Sequence, residues 1–334
     1  MRSRGFTLIE LMISMALFGL IAAGAMSLVV SGARTQTHSA RVDVAQTALR
    51  TAIDFITRDA MSAAAGVASG TITLNGGTTT PAITFDSTVN NIGTNGADIL
   101  DVYTVDGTTL VQANAIAAGA SALTITGEAT QAGTGSSFTA LASPYQTYVQ
   151  IFDPNAGSAA VVSLTGATAT TLTLGQTVPM AFAAYAYVMP SRHVRYTVST
   201  TTFANLATSA TANTSMLMLS VNGSAAQPLA EGIEDMQVAY GFDTNGDGIV
   251  TEIGAAANDD EWLYNVAGET PTAQMIVGNL LTIRVTLIAK GTSVDTGQQN
   301  LPGRPTAEDH TGAANDGFIR RVLRTEIAVR NFNL

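Results

Sequence analysis

The sequence contains no cysteine, and Lys290 is the only lysine among its 334 residues. The missing thiols exclude disulfides, thiolate catalysis, cysteine-ligated zinc and lipidation at cysteine. Charged residues make up only 12% of the chain, and its net charge is −10. No run of basic residues is long enough to follow a phosphate backbone, so nucleic acid is not expected as a main partner. Stability must therefore come from the core, from bound metal or from neighbouring subunits.

Recognised catalytic patterns are also missing. The chain has no G-x-S-x-G, H-E-x-x-H or Walker A sequence. The three histidines are His38, His193 and His310, and none lies near a serine in a recognisable catalytic spacing. We therefore predict that the protein is not an enzyme.

The N-terminal segment supplies the long hydrophobic run of the sequence. From Phe6 to Val30, its 25 residues carry one charge, that of Glu10. A helix of this length spans about 37 Å, which is enough for a hydrocarbon core of about 30 Å. Arg2 and Arg4 precede it and favour a cytoplasmic N-terminus. The segment predicts a single membrane pass.

Two ordinary interpretations of this segment leave part of it unexplained. A signal peptide cut after Ala23-Gly24-Ala25 has the small-residue pattern, but its apolar stretch would be too long and would contain Glu10. An uncleaved signal anchor fits the length. It does not explain Glu10, because a carboxylate near hydrocarbon costs on the order of a few kcal/mol.

A third interpretation explains the carboxylate. Residues 5–11, which read Gly-Phe-Thr-Leu-Ile-Glu-Leu, resemble the class III signal of type IV prepilins and type II secretion pseudopilins. The resemblance implies that a prepilin peptidase cuts between Gly5 and Phe6 and that Phe6 is then N-methylated. It also implies that Glu10 pairs with the N-terminal amine of a neighbouring subunit. Such a cation offsets the cost of burying the carboxylate.

The segment departs from major pilins at one position. Major pilins often carry a proline where Ser27 stands, after a glycine that matches Gly19. Without this proline, the helix is expected to stay more continuous. The difference sets the chain apart from major pilins.

The second half of the predicted helix is amphipathic. Residues 31–66 form a predicted stalk, and the whole helix is expected from Thr7 to Ala65, about 90 Å, with Gly66 as its cap. Apolar residues recur at spacings of three and four, which is the pattern of one buried face. This stripe is formed by Val42, Ala45, Leu49, Ala52, Ile53 and Ile56.

From Gly70 onward the pattern becomes strand-like. A lobe rich in threonine, alanine and glycine is predicted over 67–190, and a second antiparallel β-domain over 191–334, with an acidic loop at 243–261. The predicted class is α+β, a long N-terminal helix with a large antiparallel β-head in two lobes. The last two predicted strands, 280–289 and 322–329, are the longest and most apolar, so both are expected at the centre of a sheet.

The C-terminal half carries a second resemblance. Residues 230–241 and 320–331 are similar to the segment before the last strands and to the closing strand of PilW-type minor pilins, and more loosely of J-type pseudopilins. This implies a minor pilin that primes pilus assembly at or near the filament tip. Its precursor would lie in the inner membrane and the mature chain in the pilus at the cell surface.

The same resemblance implies the partners. They are other minor pilins, the major pilin, prepilin peptidase, the inner-membrane assembly platform and a pilus-tip adhesin. Two alternatives stay open: a minor pseudopilin of type II secretion, and a membrane-anchored surface binding protein that does not polymerise.

One acidic loop resembles the start of an EF-hand. It has oxygen ligands at positions 1, 3 and 5 and Gly248 at position 6, but position 12 is Gly254 instead of glutamate, and strands flank it. Two interpretations remain, a Ca²⁺ site completed by Glu252 or residues 259–261, and an acidic β-turn. The candidate ligands are Asp243, Asn245, Asp247, the Ile249 carbonyl and Glu252.

Overall fold

A computed structural model describes twelve stretches of the chain, which contain one α-helix and sixteen strands in two sheets. The α+β class is as predicted. Most strand pairings are antiparallel, and one pairing, between the first and eighth strands, is parallel. The described residues are 8–64, 71–73, 79–81, 83–85, 96–105, 110–126, 147–204, 211–252, 261–264, 272–291, 301–308 and 310–329.

Helix α1 runs from Leu8 to Met61, about 81 Å. It ends four residues before the predicted Ala65, because the chain turns at Ala64, which has a φ of 57°. The Ala64 amide donates a hydrogen bond to the carbonyl of Tyr103 at 3.2 Å, so the sheet captures the chain at this point. The predicted cap, Gly66, lies outside the described residues.

The larger sheet has twelve strands. They are Thr71–Thr73 (β1), Thr79–Pro81 (β2), Ile83–Phe85 (β3), Leu100–Val105 (β4), Val111–Ala113 (β5), Ala122–Thr126 (β6), Thr147–Asp153 (β7), Ser158–Ala167 (β8), Thr171–Leu174 (β9), Ala186–Ala204 (β10), Thr211–Val221 (β11) and Gln227–Glu231 (β12).

Six of these strands close into a ring, in the order β5-β6-β9-β8-β7-β10. Closure is possible because the start of β10 pairs with β5 on one side and with β7 on the other. Apolar side chains such as Leu123, Ile151, Leu172 and Val188 fill the interior. We call this unit, described over 110–126 and 147–191, the barrel. It removes the open edges that an isolated sheet would have.

The smaller sheet consists of Ile233–Phe242 (β13), Trp262–Leu263 (β14), Leu280–Lys290 (β15) and Arg320–Ala328 (β16), in the order β14-β13-β15-β16. Strand β15 is central and largely buried, as predicted. The prediction was wrong for β16, which is an edge strand of the described sheet with several exposed side chains. It pairs with β15 on one side, and α1 packs against it.

The predicted domain boundary at residues 190 and 191 falls inside β10. This strand has 19 residues, so its first part belongs to the barrel while its later part pairs with β4 and β11. The chain changes sheets later, at Gly232, between β12 and β13. Gly232 has a φ of 81°, and a Cβ there would lie 3.1 Å from the Lys290 carbonyl oxygen.

The predicted apolar stripe of α1 faces the head. Five of its six residues are buried and Val42 is half-buried, which confirms the prediction. They share one core with residues of both sheets, such as Tyr196, Leu217 and Val285. The helix is therefore held by the sheets over its second half.

Candidate assembly helix and acidic loop

None of the described stretches of the chain covers the first half of α1. Every residue from 8 to 37 is exposed, and Leu8, Phe18, Leu20 and Leu28 are each more than 70% exposed. Exposed apolar surface costs about 25 cal/mol per Å² relative to burial. This segment is long and apolar enough to cross a membrane. It therefore needs either lipid or the helices of neighbouring subunits around it.

Glu10 lies in the first turn of the described helix, between exposed Ile9 and Leu11. A carboxylate is favoured at this end of a helix, since the unpaired amides there carry partial positive charge. The predicted cleavage site, Gly5 and Phe6, lies outside the described residues. Cleavage, methylation and the pairing of Glu10 thus stay predictions.

The helix runs without a break through Gly19, Gly24 and Ser27. This continuity agrees with the expectation drawn from the missing proline. A Cβ added at Gly19 or Gly24 would meet nothing within 4 Å in the single chain. These glycines therefore leave open surface on the part of the helix that lacks cover.

A buried carboxylate fixes the other end of the helix. Asp59 is 2% exposed, and its Oδ2 accepts a hydrogen bond of 2.7 Å from the hydroxyl of the fully buried Tyr196. Nη1 of Arg192 lies 3.4 Å from Oδ1. Burial and the bond to Asp59 together raise the pKa of Tyr196 well above its ordinary value. Sequence reasoning missed this anchor, although Asp59 follows Ile56 by three residues and so continues the buried stripe.

The acidic loop is closed by its own backbone. Asp243 accepts hydrogen bonds from the amides of Gly246, Asp247 and Gly248 at 2.6 to 3.1 Å. Oδ1 of Asn245 accepts from the Asp247 amide, and Oδ1 of Asp247 accepts from the Ile249 amide, both at 2.8 Å. Such contacts are typical of turns built on Asp and Asn side chains.

Glu252 contacts a cation of the smaller sheet. Its Oε2 accepts a hydrogen bond of 2.9 Å from Nη1 of Arg284, which is 1% exposed, and its Oε1 accepts one from the Tyr264 hydroxyl. Arg284 also donates to Glu308 at 2.7 Å and lies 4.1 Å from the ring centre of Trp262. Burial raises the pKa of Glu252, but the hydrogen bonds outweigh it and the net pKa is lowered.

Glu261 joins the two ends of the loop. It is 3% exposed and accepts hydrogen bonds from the amide and hydroxyl of Thr244 and from the amide of Thr251. Burial raises the pKa of Glu261, and these donors lower it to a net value below normal. These hydrogen bonds connect the two ends of the loop.

These contacts match the acidic β-turn, the second of the two interpretations. Within the described stretches, no group of three or more His, Asp or Glu side chains is arranged to hold a metal ion. Asp259 and Asp260, which were considered as additional ligands, lie outside those stretches. Calcium binding by Asp243, Asn245, Asp247, Ile249 and Glu252 stays a prediction.

Two of the histidines contact buried carboxylates that also bind arginine. Nε2 of His193 lies 2.7 Å from Oδ1 of Asp101, which also binds Arg195 at 2.7 and 2.8 Å, and Tyr103 stacks on the imidazole at 4.4 Å. Burial raises the pKa of Asp101, but its contacts with His193 and Arg195 lower it by more, so the net pKa is below its ordinary value. Nδ1 of His310 lies 2.8 Å from Oδ2 of Asp235. These contacts join neighbouring strands and loops of the head, and they give its buried carboxylates their partners.

Comparisons with known proteins agree with these features. Residues 1–26 match the prokaryotic N-terminal methylation motif, and residues 195–331 match the type IV pilus-assembly protein W family, PilW. A type IV-like pilin from Thermus thermophilus is similar at 15% identity, over 43% of this chain and 70% of that one, with a TM-score of 0.25. No curated protein matches the chain.

A methylation motif on an apolar N-terminal helix, followed by a β-rich head, is an arrangement typical of type IV pilin-like proteins. The match over residues 195–331 to the PilW family of type IV pilus-assembly proteins confirms the resemblance seen at residues 230–241 and 320–331. The motif and the apolar helix are consistent with a precursor in the inner membrane and a mature chain in the pilus.

Proposed function

We propose that this chain is a minor pilin that primes type IV pilus assembly and lies at or near the filament tip. The main support for this proposal is that the two halves of α1 have different surroundings. Residues 8–37 are exposed in the single chain, while the stripe from Ala45 to Ala60 is buried against the head. One rigid helix thus joins a folded head to an apolar segment that needs other helices or lipid around it.

The proposed pathway begins with the precursor in the inner membrane and its N-terminus in the cytoplasm. Prepilin peptidase cuts between Gly5 and Phe6 and methylates Phe6. The assembly platform then moves the helix from lipid into a helical core. There, Glu10 pairs with the N-terminal amine of a neighbouring subunit and sets the register, because an unpaired carboxylate in an apolar layer is costly.

The shape of the head supports a terminal position. The barrel continues beyond the end of α1, since β10 leads from the helix anchor at Arg192 into the barrel at Ala186. A subunit at the tip has no subunit above it, so a long head meets no steric limit on that side. Other minor pilins and the major pilin are then partners below it, and a tip adhesin is a partner above.

The test compares two carboxylates on the same helix. In a host strain that lacks the chromosomal gene, we expect Glu10→Ala to abolish sheared surface filaments while the protein remains in the membrane fraction. Leaving a buried amine without its partner costs about 3–5 kcal/mol. The matched control is Asp43→Ala, which removes an exposed carboxylate and should restore filaments fully.

Two results would contradict the proposal. Normal filaments with Glu10→Ala would show that the carboxylate has no role in assembly and would favour an anchored surface protein. Normal filaments in the deletion strain, together with loss of secretion, would favour a pseudopilin of type II secretion.

A further inference from the structure

The described surface of the barrel carries no exposed charge. Segments 110–126 and 147–191 contain one charged residue, Asp153, which is 6% exposed. Its Oδ1 accepts hydrogen bonds from the amides of Asn155 and Ala156, so it serves a turn. The whole chain has 25 acidic and 15 basic residues, so this neutrality is local. The described residues of the barrel therefore offer a charged ligand no complementary charge, which favours an uncharged ligand.

Two loops form one end of the barrel, residues 114–121 and 177–185, and we call them the platform. Ile116 and Phe182 exchange two backbone hydrogen bonds of 2.9 Å. Gly119 donates to the Val178 carbonyl at 2.8 Å, and Val178 donates to the Ala120 carbonyl at 2.9 Å. The loops are therefore fixed to each other. Their exposed side chains are mostly small, namely Ala115, Ala117, Ala118, Ala181, Ala183 and Ala184.

Tyr185 is the exception on this surface. Its side chain is 64% exposed, and among the described barrel residues it is the one exposed large apolar side chain. Its φ is 72°, a left-handed conformation that is unfavourable for a residue other than glycine. The Tyr185 amide donates to the Ala113 carbonyl at 2.8 Å, which holds this conformation. Strain of this kind concentrates at functional sites.

The platform lies at the end of the head that is away from the membrane segment. Glu231 and Lys290 line a cavity with Arg41 and mark the near end. Arg192 contacts Asp59 at the far end of the helix. Tyr185 directly precedes β10 and lies seven residues before Arg192, which corresponds to about 23 Å of extended chain beyond that contact.

We propose that the platform binds an uncharged polysaccharide, with the Tyr185 ring stacked on the apolar face of a sugar. An aromatic ring offers its face to sugar C–H groups, and neutral groups such as the Asn114 amide and the Thr177 hydroxyl suit sugar hydroxyls. A protein partner normally requires several large anchors in one patch, and Tyr185 stands alone among small residues. This inference goes beyond the proposed assembly role and does not rest on it.

The test uses the full-length protein in detergent and measures its retention on microcrystalline cellulose, chitin and starch granules. Carboxymethylcellulose serves as the charged counterpart of cellulose. We expect retention on at least one neutral polysaccharide and a loss of about tenfold or more with Tyr185→Asn, because the variant removes the aromatic face on which the sugar stacks. Asn tolerates positive φ, so this variant should keep the melting temperature of the wild type.

Two further variants sharpen the result. Tyr185→Trp keeps an aromatic face and should keep binding. Ile276→Asn removes another exposed apolar side chain, 56% exposed and outside the barrel, and should change nothing. The inference is overturned if the wild type is retained on none of the neutral polysaccharides, if it prefers the carboxymethyl form, or if Tyr185→Asn binds equally well. Self-association that Tyr185→Asn abolishes in sedimentation velocity would assign the platform to contacts between copies instead.

Discussion

At the scale of single residues, the head is held together by carboxylates that are buried with their partners. Asp59, Asp101 and Asp235 are each less than 10% exposed, and each contacts an arginine. Asp59 differs from the others because it joins the helix to the large sheet. A chain without disulfides relies on such contacts in addition to its apolar core.

We predict that Asp59→Ala lowers the free energy of unfolding by about 1–3 kcal/mol, because it leaves the buried Tyr196 hydroxyl without its acceptor. Urea unfolding of the protein in detergent measures this change. Tyr196→Phe in the same background should recover part of the loss, since the orphaned hydroxyl is then absent. Asp54→Ala, at an exposed position of the same helix, should change stability by less than about 0.5 kcal/mol. Equal losses of unfolding free energy for the two variants would show that Asp59 does not fix the helix to the large sheet.

Acid should weaken the head. The pKa values of Asp101, Glu252 and Glu261 are lowered in the folded state, and that of Asp316 is lowered to about 2, chiefly by its bond to Arg320. A carboxylate with a lowered pKa stabilises the fold above its unfolded pKa, and this contribution is lost as pH falls through the folded pKa. We therefore predict that the urea midpoint falls steadily from about pH 5 to about pH 2.

The variant Asp316→Asn tests one part of this slope. It removes the titration of the carboxyl whose pKa is lowered to about 2, so the urea midpoint of the variant should depend less on pH below about pH 4 than that of the wild type. An identical pH profile for the two proteins would show that the pair with Arg320 does not contribute.

At the scale of secondary-structure elements, the apolar spacing of the sequence predicted the helix and the long strands, but not which strands pair with each other. The stripe of α1 and the long strand β15 were predicted because their apolar spacing repeats over many residues. Strands β2, β5, β12 and β14 have two to five residues, which is too few for an apolar spacing to repeat. The closure of the barrel could not be predicted, because it depends on β10 pairing with strands that lie far away in sequence.

The chain passes from the larger sheet to the smaller one at a single glycine, Gly232. Gly232→Ala should destabilise the head by more than about 1 kcal/mol, because it combines a left-handed φ with a Cβ only 3.1 Å from the Lys290 carbonyl oxygen. Gly246→Ala is the matched control. It has nearly the same φ, 82°, with nothing within 4 Å of the added Cβ. Chemical unfolding should show a larger loss at Gly232, and equal losses would mean that close packing at the switch does not matter.

At the scale of the whole molecule, the chain divides into three parts with different surfaces. The first half of α1 is apolar and exposed, the body around both sheets carries most of the described ion pairs, and the barrel carries no exposed charge. The N-terminal motif and the last strands could be recognised from sequence. The acidic loop could be found but not interpreted, since its turn contacts and a cation site use the same residue types.

The central claim is that the chain is processed and assembled as a pilin. The most direct test is mass spectrometry of the intact protein and of its N-terminal peptide, taken from native membranes or sheared filaments. The account predicts a mature chain that begins at N-methylated Phe6. A chain that keeps Met1, or one that begins at Met26, would contradict it.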